Sequence, residues 1–197
     1  LQLNKEKIMN KLLLIFAFFY AVSCTAQEYP LKTDYTEIPN YSYLKDTDNE
    51  LDSFIGVWQG NYNNNTITLY ITKEIHKLFD ENQHKYYKDI LSIKYIVKNS
   101  AGSIIQNTQN MTIQPNQLRH TIYSQWAEDS GDTMLFYYGG TNCGVGWGSI
   151  KAKKIRSSQI SWEYRPNDII LDDSECPPGT DINIYLPETK DLIFTKQ

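Results

Sequence analysis

Short runs of alternating apolar and polar residues, broken at close intervals by turn residues, constrain this chain more than any other feature. Residues 66–72 place Ile67, Leu69 and Ile71 on one side and Thr66, Thr68, Tyr70 and Thr72 on the other, the period of two that a half-buried strand requires. Residues 54–62 read Phe-Ile-Gly-Val-Trp-Gln-Gly-Asn-Tyr, with Phe54, Gly56, Trp58, Gly60 and Tyr62 sharing a face. Asn63-Asn64-Asn65 between the two runs is a hairpin turn, because Asn tolerates positive φ and bonds its own backbone. Further strands are expected at residues 90–98, 103–113, 118–126, 133–138, 145–156, 160–165, 181–186 and 192–195, with turns at 99–102, at Pro115-Asn116, at 129–132 and at 139–142. Polar residues 73–88 read as a long loop or a short helical turn.

Ten short strands with hardly any helix predict an all-β fold, an antiparallel up-and-down meander closing as a barrel of about 8–10 strands. The 15 Tyr, with abundant Ile and Thr, fit the same pleated surface. The chain divides into an N-terminal segment (1–26), a polar arm (27–50) and the barrel domain (51–197). The arm holds Pro30 and Pro39 yet carries Tyr29, Tyr35, Tyr41 and Tyr43. So many aromatics predict that part of it lies on the folded domain and covers an edge.

The first segment carries a targeting pattern. Met9-Asn10-Lys11 is followed by about a dozen apolar residues from Leu12 to Val22, the length of a signal-peptide core and too short for a bilayer span. Met9 is the expected start. Cys24-Thr25-Ala26 offers small residues to a signal peptidase. Ala21-Val22-Ser23-Cys24 is a loose lipobox in which Ala21 stands where Leu is usual, making Cys24 a lipidation candidate that would tether the protein without spanning a membrane. The protein is therefore expected outside the cytoplasm: periplasmic, secreted or anchored to an outer membrane.

Of three cysteines, Cys143 and Cys176 remain beyond that segment, and an exported chain with two is read as holding one disulfide. In a simple meander their two connections emerge at the same end, two strand spacings or roughly 10 Å apart, within reach of flexible loops.

Charge excludes one class of partner. The formal net charge of -4 becomes about -6 once the first 26 residues are removed, and Lys151, Lys153, Lys154 and Arg156 divide between two strand faces, so no nucleic-acid footprint forms. Catalytic signals are lacking. Ser124 and Ser149 sit in no nucleophile elbow, and Glu128, Asp129, Glu163, Asp168, Asp172 and Asp173 include no pair marked as acid and base. His76 and His84 read as surface residues and His120 as an interior one. Asp46, Asp48, Glu50 and Asp52 alternate like a calcium loop, but Leu51 and Val57 occupy its essential glycine and acidic positions. Asp172 and Asp173, with Asp168 and Asp181 nearby, are the best-placed acids for a cation, though charge alone fixes no coordination geometry. No metal and no cofactor is expected.

Gly56-x-Trp58 on a first strand, followed by a meander, resembles the calycins, the lipocalin and fatty-acid-binding barrels. The resemblance implies that Trp58 plugs one end and packs on an arginine from a late strand, Arg165 or Arg156. With Gly60 the pattern is also similar to the nitrobindin haem barrels, but those need a late histidine and none follows His120. The longer run Tyr43-Leu-Lys-Asp-x-x-Asn49-Glu-Leu-Asp-x-Phe54-x-Gly56-x-Trp58-x-Gly60 resembles a family of uncharacterised secreted proteins of Bacteroidota, which implies that the arm before Phe54 belongs to the same unit. The expectation is a non-enzymatic barrel that binds a small apolar or aromatic molecule, with Tyr137, Trp147 and Trp162 as candidate lining, or a protein partner. An envelope hydrolase with an unrecognised site and a packed structural module are the alternatives.

Overall fold

Alternation becomes eleven strands in the computed structural model, which describes residues 27–81, 83–114 and 117–197. These are β1 (Glu28–Pro30), β2 (Tyr43–Lys45), β3 (Gly56–Tyr62), β4 (Asn65–Glu81), β5 (His84–Lys98), β6 (Ile104–Asn107), β7 (Ile122–Glu128), β8 (Thr133–Tyr138), β9 (Gly148–Arg156), β10 (Gln159–Pro166) and β11 (Thr189–Lys196). Leaving out β1, β2 and β6, the strands pair antiparallel in chain order, and β11 returns to β3 through Thr195↔Gln59 and Lys196↔Trp58. The result is a closed eight-stranded up-and-down barrel, as expected. Its thinnest seam joins β5 to β7 through one bridging pair, Ser92↔Tyr123. Two side chains reinforce it: Ser124 Oγ accepts from the Leu91 amide at 2.8 Å, and the Lys88 ammonium donates to the Gln125 carbonyl.

Inward positions carry the largest side chains. Trp58, Tyr95, Phe136, Tyr138, Trp162, Tyr164 and Phe194 are all 1% exposed or less, so no water-sized space touches them and the barrel is filled like a protein core. Their polar tips are satisfied inside. The Tyr95 and Tyr138 hydroxyls lie 3.2 Å apart, Tyr164 donates to the Gly146 carbonyl, and Trp162 donates to the Pro187 carbonyl at 3.2 Å.

The Gly-x-Trp-x-Gly run is architecture. Trp58 donates its indole N–H to the Phe54 carbonyl at 2.8 Å, and the Lys196 ammonium stands 5.2 Å from the centre of its ring. Gly56 has φ +140, and a Cβ there would lie 2.7 Å from Cε of Lys196; a Cβ on Gly60 would meet the Phe194 ring at 3.1 Å. One glycine admits the lysine stem and the other admits an aromatic ring. The arginine expected over Trp58 is thus corrected to Lys196 of the last strand. Arg165 is exposed and paired with Glu163 at 2.6 Å, and Arg156 is exposed beside the β9–β10 turn.

Three element assignments change. Residues 73–88, read as a loop, form the extension of the β4–β5 hairpin beyond the barrel. A bulge between Glu74 and Lys77, with His76 at φ +56, breaks the alternation there. Residues 103–113 hold only the four-residue β6, and residues 181–186 form no strand. The turn at Pro115-Asn116 and the whole segment 1–26, with Met9 and Cys24, lie outside the described residues.

The extension exists because the arm covers it. β2 runs parallel to β5 (Tyr43↔Tyr87, Leu44↔Lys88) and β1 parallel to β2. Ile38, Leu44 and Tyr86 are buried in a second, smaller core with Tyr29, Leu31, Tyr35 and Phe79. Buried carboxylates bind the arm to the barrel. Asp89 accepts from the Tyr43 hydroxyl and from the amides of Asp46 (3.0 Å) and His76 (2.9 Å); Asp46 accepts from the amides of Glu50 and Leu51 and pairs with Lys73 at 2.8 Å. Both carboxylates therefore sit among donors that offset their desolvation.

Candidate functional site

The structure does not bring the expected lining aromatics together. Trp162 is inside the barrel against Phe194, with ring centres 5.5 Å apart, whereas Tyr137 points outward and pairs with Tyr123 at 5.4 Å. Trp147 lies between β8 and β9, part-exposed, its N–H 3.4 Å from the Asp168 carbonyl. Of the three, Trp162 alone lies in the core, packed at 0% exposure. The nucleophile candidate Ser124 is 3% exposed and tied to the β5 backbone. His76 stacks on Tyr87 with centroids 3.9 Å apart, and His84 packs edge-on against Tyr35. His120 is buried, as expected, with Nε2 3.1 Å from Asn142 Oδ1. Among the described residues, no three His, Cys, Asp or Glu side chains gather as a metal site, the acids at 168, 172, 173 and 181 included.

Those acids belong instead to a feature of another kind. From residue 27 onward the chain has 16 Lys and Arg against 22 Asp and Glu, and the connection 167–188 between β10 and β11 contains six of the acids and none of the bases. The remainder is neutral, so the whole net charge sits on this one connection. It is 22 residues long without regular secondary structure, a length that in compact domains usually marks function or disorder. This one is held in place at many points. The Cys143–Cys176 disulfide, with Cα atoms 5.5 Å apart, fastens it to the β8–β9 connection as expected. Asn142 Nδ2 donates to the Asp181 carbonyl at 2.7 Å, the Asn167 amide to the Trp147 carbonyl at 2.7 Å, and the Tyr62 hydroxyl to the Glu188 carbonyl at 2.9 Å. Leu186 anchors it in the main core.

On this rigid base stand apolar side chains. Ile170 is 97% exposed, and Ile169, Leu171, Ile182 and Ile184 are also open to solvent, with Trp147 alongside. Two of the carboxylates around them are held in the charged form by hydrogen bonds. The Ser174 hydroxyl and amide hold the Asp172 carboxyl below the usual range, and the Tyr185 hydroxyl with the Asn183 amide does the same for Asp181. The arrangement is an acidic crest with aliphatic tips. Reading residues 181–186 as a strand from Ile182, Ile184 and Leu186 concealed it. The absence of any Lys, Arg or His between residues 167 and 188 was the available signal.

The opposite end has the reverse character. A surface groove of about 460 Å³ is lined by Ser53, Asp132, Lys154, Ile155, Arg156, Ser157 and Lys196. Lys154 pairs with Asp132 at 3.0 Å and stands 5.6 Å from the centre of the Phe54 ring. Three cations against one carboxylate leave this groove positive. β9 carries the chain from Gly148, beside the crest, to Arg156 at the groove, so the two features occupy opposite ends of the barrel.

No helix among the described residues is long and apolar enough to cross a membrane, and the disulfide fits an oxidising compartment. No curated protein and no solved structure matches the chain. A family model matches residues 7–197, nearly its whole length, and on that ground the chain belongs to the Family of unknown function (DUF6705).

Proposed function

We propose that this protein is an exported, non-enzymatic interaction module that presents the crest at residues 167–188 to a protein partner. The observation that carries the reading is the crest itself: a fully exposed isoleucine among uncompensated carboxylates, on a loop fastened by a disulfide and several hydrogen bonds. Ordering a loop in advance removes entropy that binding would otherwise cost. The filled barrel supports the same reading, since it leaves binding to the outside. Export is supported by the signal-like segment before Gln27 and by the disulfide, which suits an oxidising compartment; lipidation at Cys24 is the form of it that would keep the module at a membrane surface.

Site-specific photo-cross-linking in the native envelope tests this. A cross-linker at position 170 should give discrete protein adducts, and one at Ile193 on the barrel wall should not. Equal labelling from both positions, or none from 170, overturns the reading. Mass measurement of the mature protein would separate acylation at Cys24 from cleavage after Ala26.

A further inference from the structure

We infer that the partner of the crest is the basic groove of a second copy of this chain, so that molecules associate head to tail. The inference rests on the crest being a docking face and adds the identity of what it meets. The argument is charge and shape complementarity between two surfaces of one molecule. The crest carries the whole net negative charge of residues 27–197 together with projecting aliphatic tips. The groove is concave, is lined by Lys154, Arg156 and Lys196 against the single acid Asp132, and exposes one apolar side chain, Ile155. Ile170 has the exposed Ile155 to pack against, and Asp172 and Asp173 have cations to face. Arg156 is exposed and makes no ion pair among the described residues. It is therefore free to engage a carboxylate in two-point fashion.

Topology sets the form of the assembly. The two surfaces lie at opposite ends of the barrel, so the contact is heterologous, each copy using a different face toward each neighbour. Such contacts build open chains unless a rotation closes them into rings, and they do not stop at a symmetric pair. Electrostatic attraction should also make the association salt-sensitive, because exposed charges are screened over about 10 Å at 0.1 M ionic strength and about 3 Å at 1 M.

Sedimentation and light scattering of the full exported chain supply the test. The average mass should rise with concentration past two copies and fall back toward the monomer in high salt. Two variants then separate the faces: Arg156→Glu in the groove, and Ile170→Ser with Asp173→Asn on the crest. All three positions are exposed, and circular dichroism confirms that each variant folds. Either variant alone should be monomeric, while an equal mixture should give a one-to-one pair, because the intact crest of one meets the intact groove of the other. A wild type that stays monomeric, a plateau at a symmetric dimer, or a mixture that stays monomeric overturns the inference. If the wild type is monomeric but position 170 still cross-links to a different protein, the crest reading survives without self-association; if those cross-links are absent too, both fall.

Discussion

At the Trp58 end the barrel is closed chiefly by buried side chains, while at the crest end the closing loop is fastened by a disulfide, by side-chain-to-backbone hydrogen bonds and by one buried leucine, Leu186. Around Trp58 the stem of Lys196, the Phe54 turn and the carboxylates of Asp46 and Asp89 pack the arm onto β4 and β5, each polar group meeting a partner. Around residue 170 the chain leaves its apolar residues outside and spends its side chains on fastening the loop: Asn142 to Asp181, Tyr62 to Glu188, Cys143 to Cys176. The first end derives its stability from burial and the second derives its shape from tethers. An end whose apolar residues were needed for folding would not expose them.

Mutations can break that contrast, starting with the largest effect. Trp58→Ala removes the ring from under Lys196 and leaves a void at the plug, and should cost about 3–5 kcal/mol in denaturant unfolding. A loss under 1 kcal/mol would mean that the plug is not where stability lies. Replacing Cys143 and Cys176 together by Ser opens a loop closed over a separation of 33 residues and should cost about 2–5 kcal/mol. Limited proteolysis of that variant should cut first within residues 167–188 and leave the arm intact.

The third effect depends on pH. Burial pushes the Lys88 amine down from 10.5 to about 8, so between those values the unfolded chain holds the extra proton and folding stability rises with pH. Burial moves the Tyr95 and Tyr123 hydroxyls the other way, from 10.0 up to about 12, so above pH 10 the folded chain holds more protons and stability falls. The window from pH 8 to 10 isolates the lysine. Wild type should gain stability across it and Lys88→Met should lose that gain, as read from urea midpoints at each pH. The smallest effect belongs to the crest: Ile170→Ser should change stability by less than about 0.5 kcal/mol while abolishing association. A stability loss above 1 kcal/mol would show that the crest helps hold the fold.

Much of the architecture was legible from local pattern. Ile67, Leu69 and Ile71 alternate because one side of β4 faces the core, and the same rule located β8 to within the residue and β10 closely. The disulfide followed from counting connections. What stayed hidden depends on contacts distant in sequence. The extension at residues 73–88 looks polar because its second face is covered by the arm, through Phe79 and Tyr86, rather than by the barrel interior, and because the bulge at His76 shifts the period by one. No local pattern could say that Lys196 stands over Trp58, since that pairing exists only once the barrel has closed. The crest misled in the opposite direction, since Ile182 and Ile184 alternate like a strand but have no neighbouring strand to bond.

The return of β11 to β3 also bears on timing. Residues 189–196 are synthesised long after residues 56–62, yet they complete the ladder of the strand that begins at Gly56 and bring the cation to Trp58. A growing chain can form the β4–β5 hairpin early, but it cannot seal the cylinder until β11 has emerged, since the pair that seals it joins the first and last strands of the barrel. Until then the sheet retains two open edges and its tryptophans stay accessible.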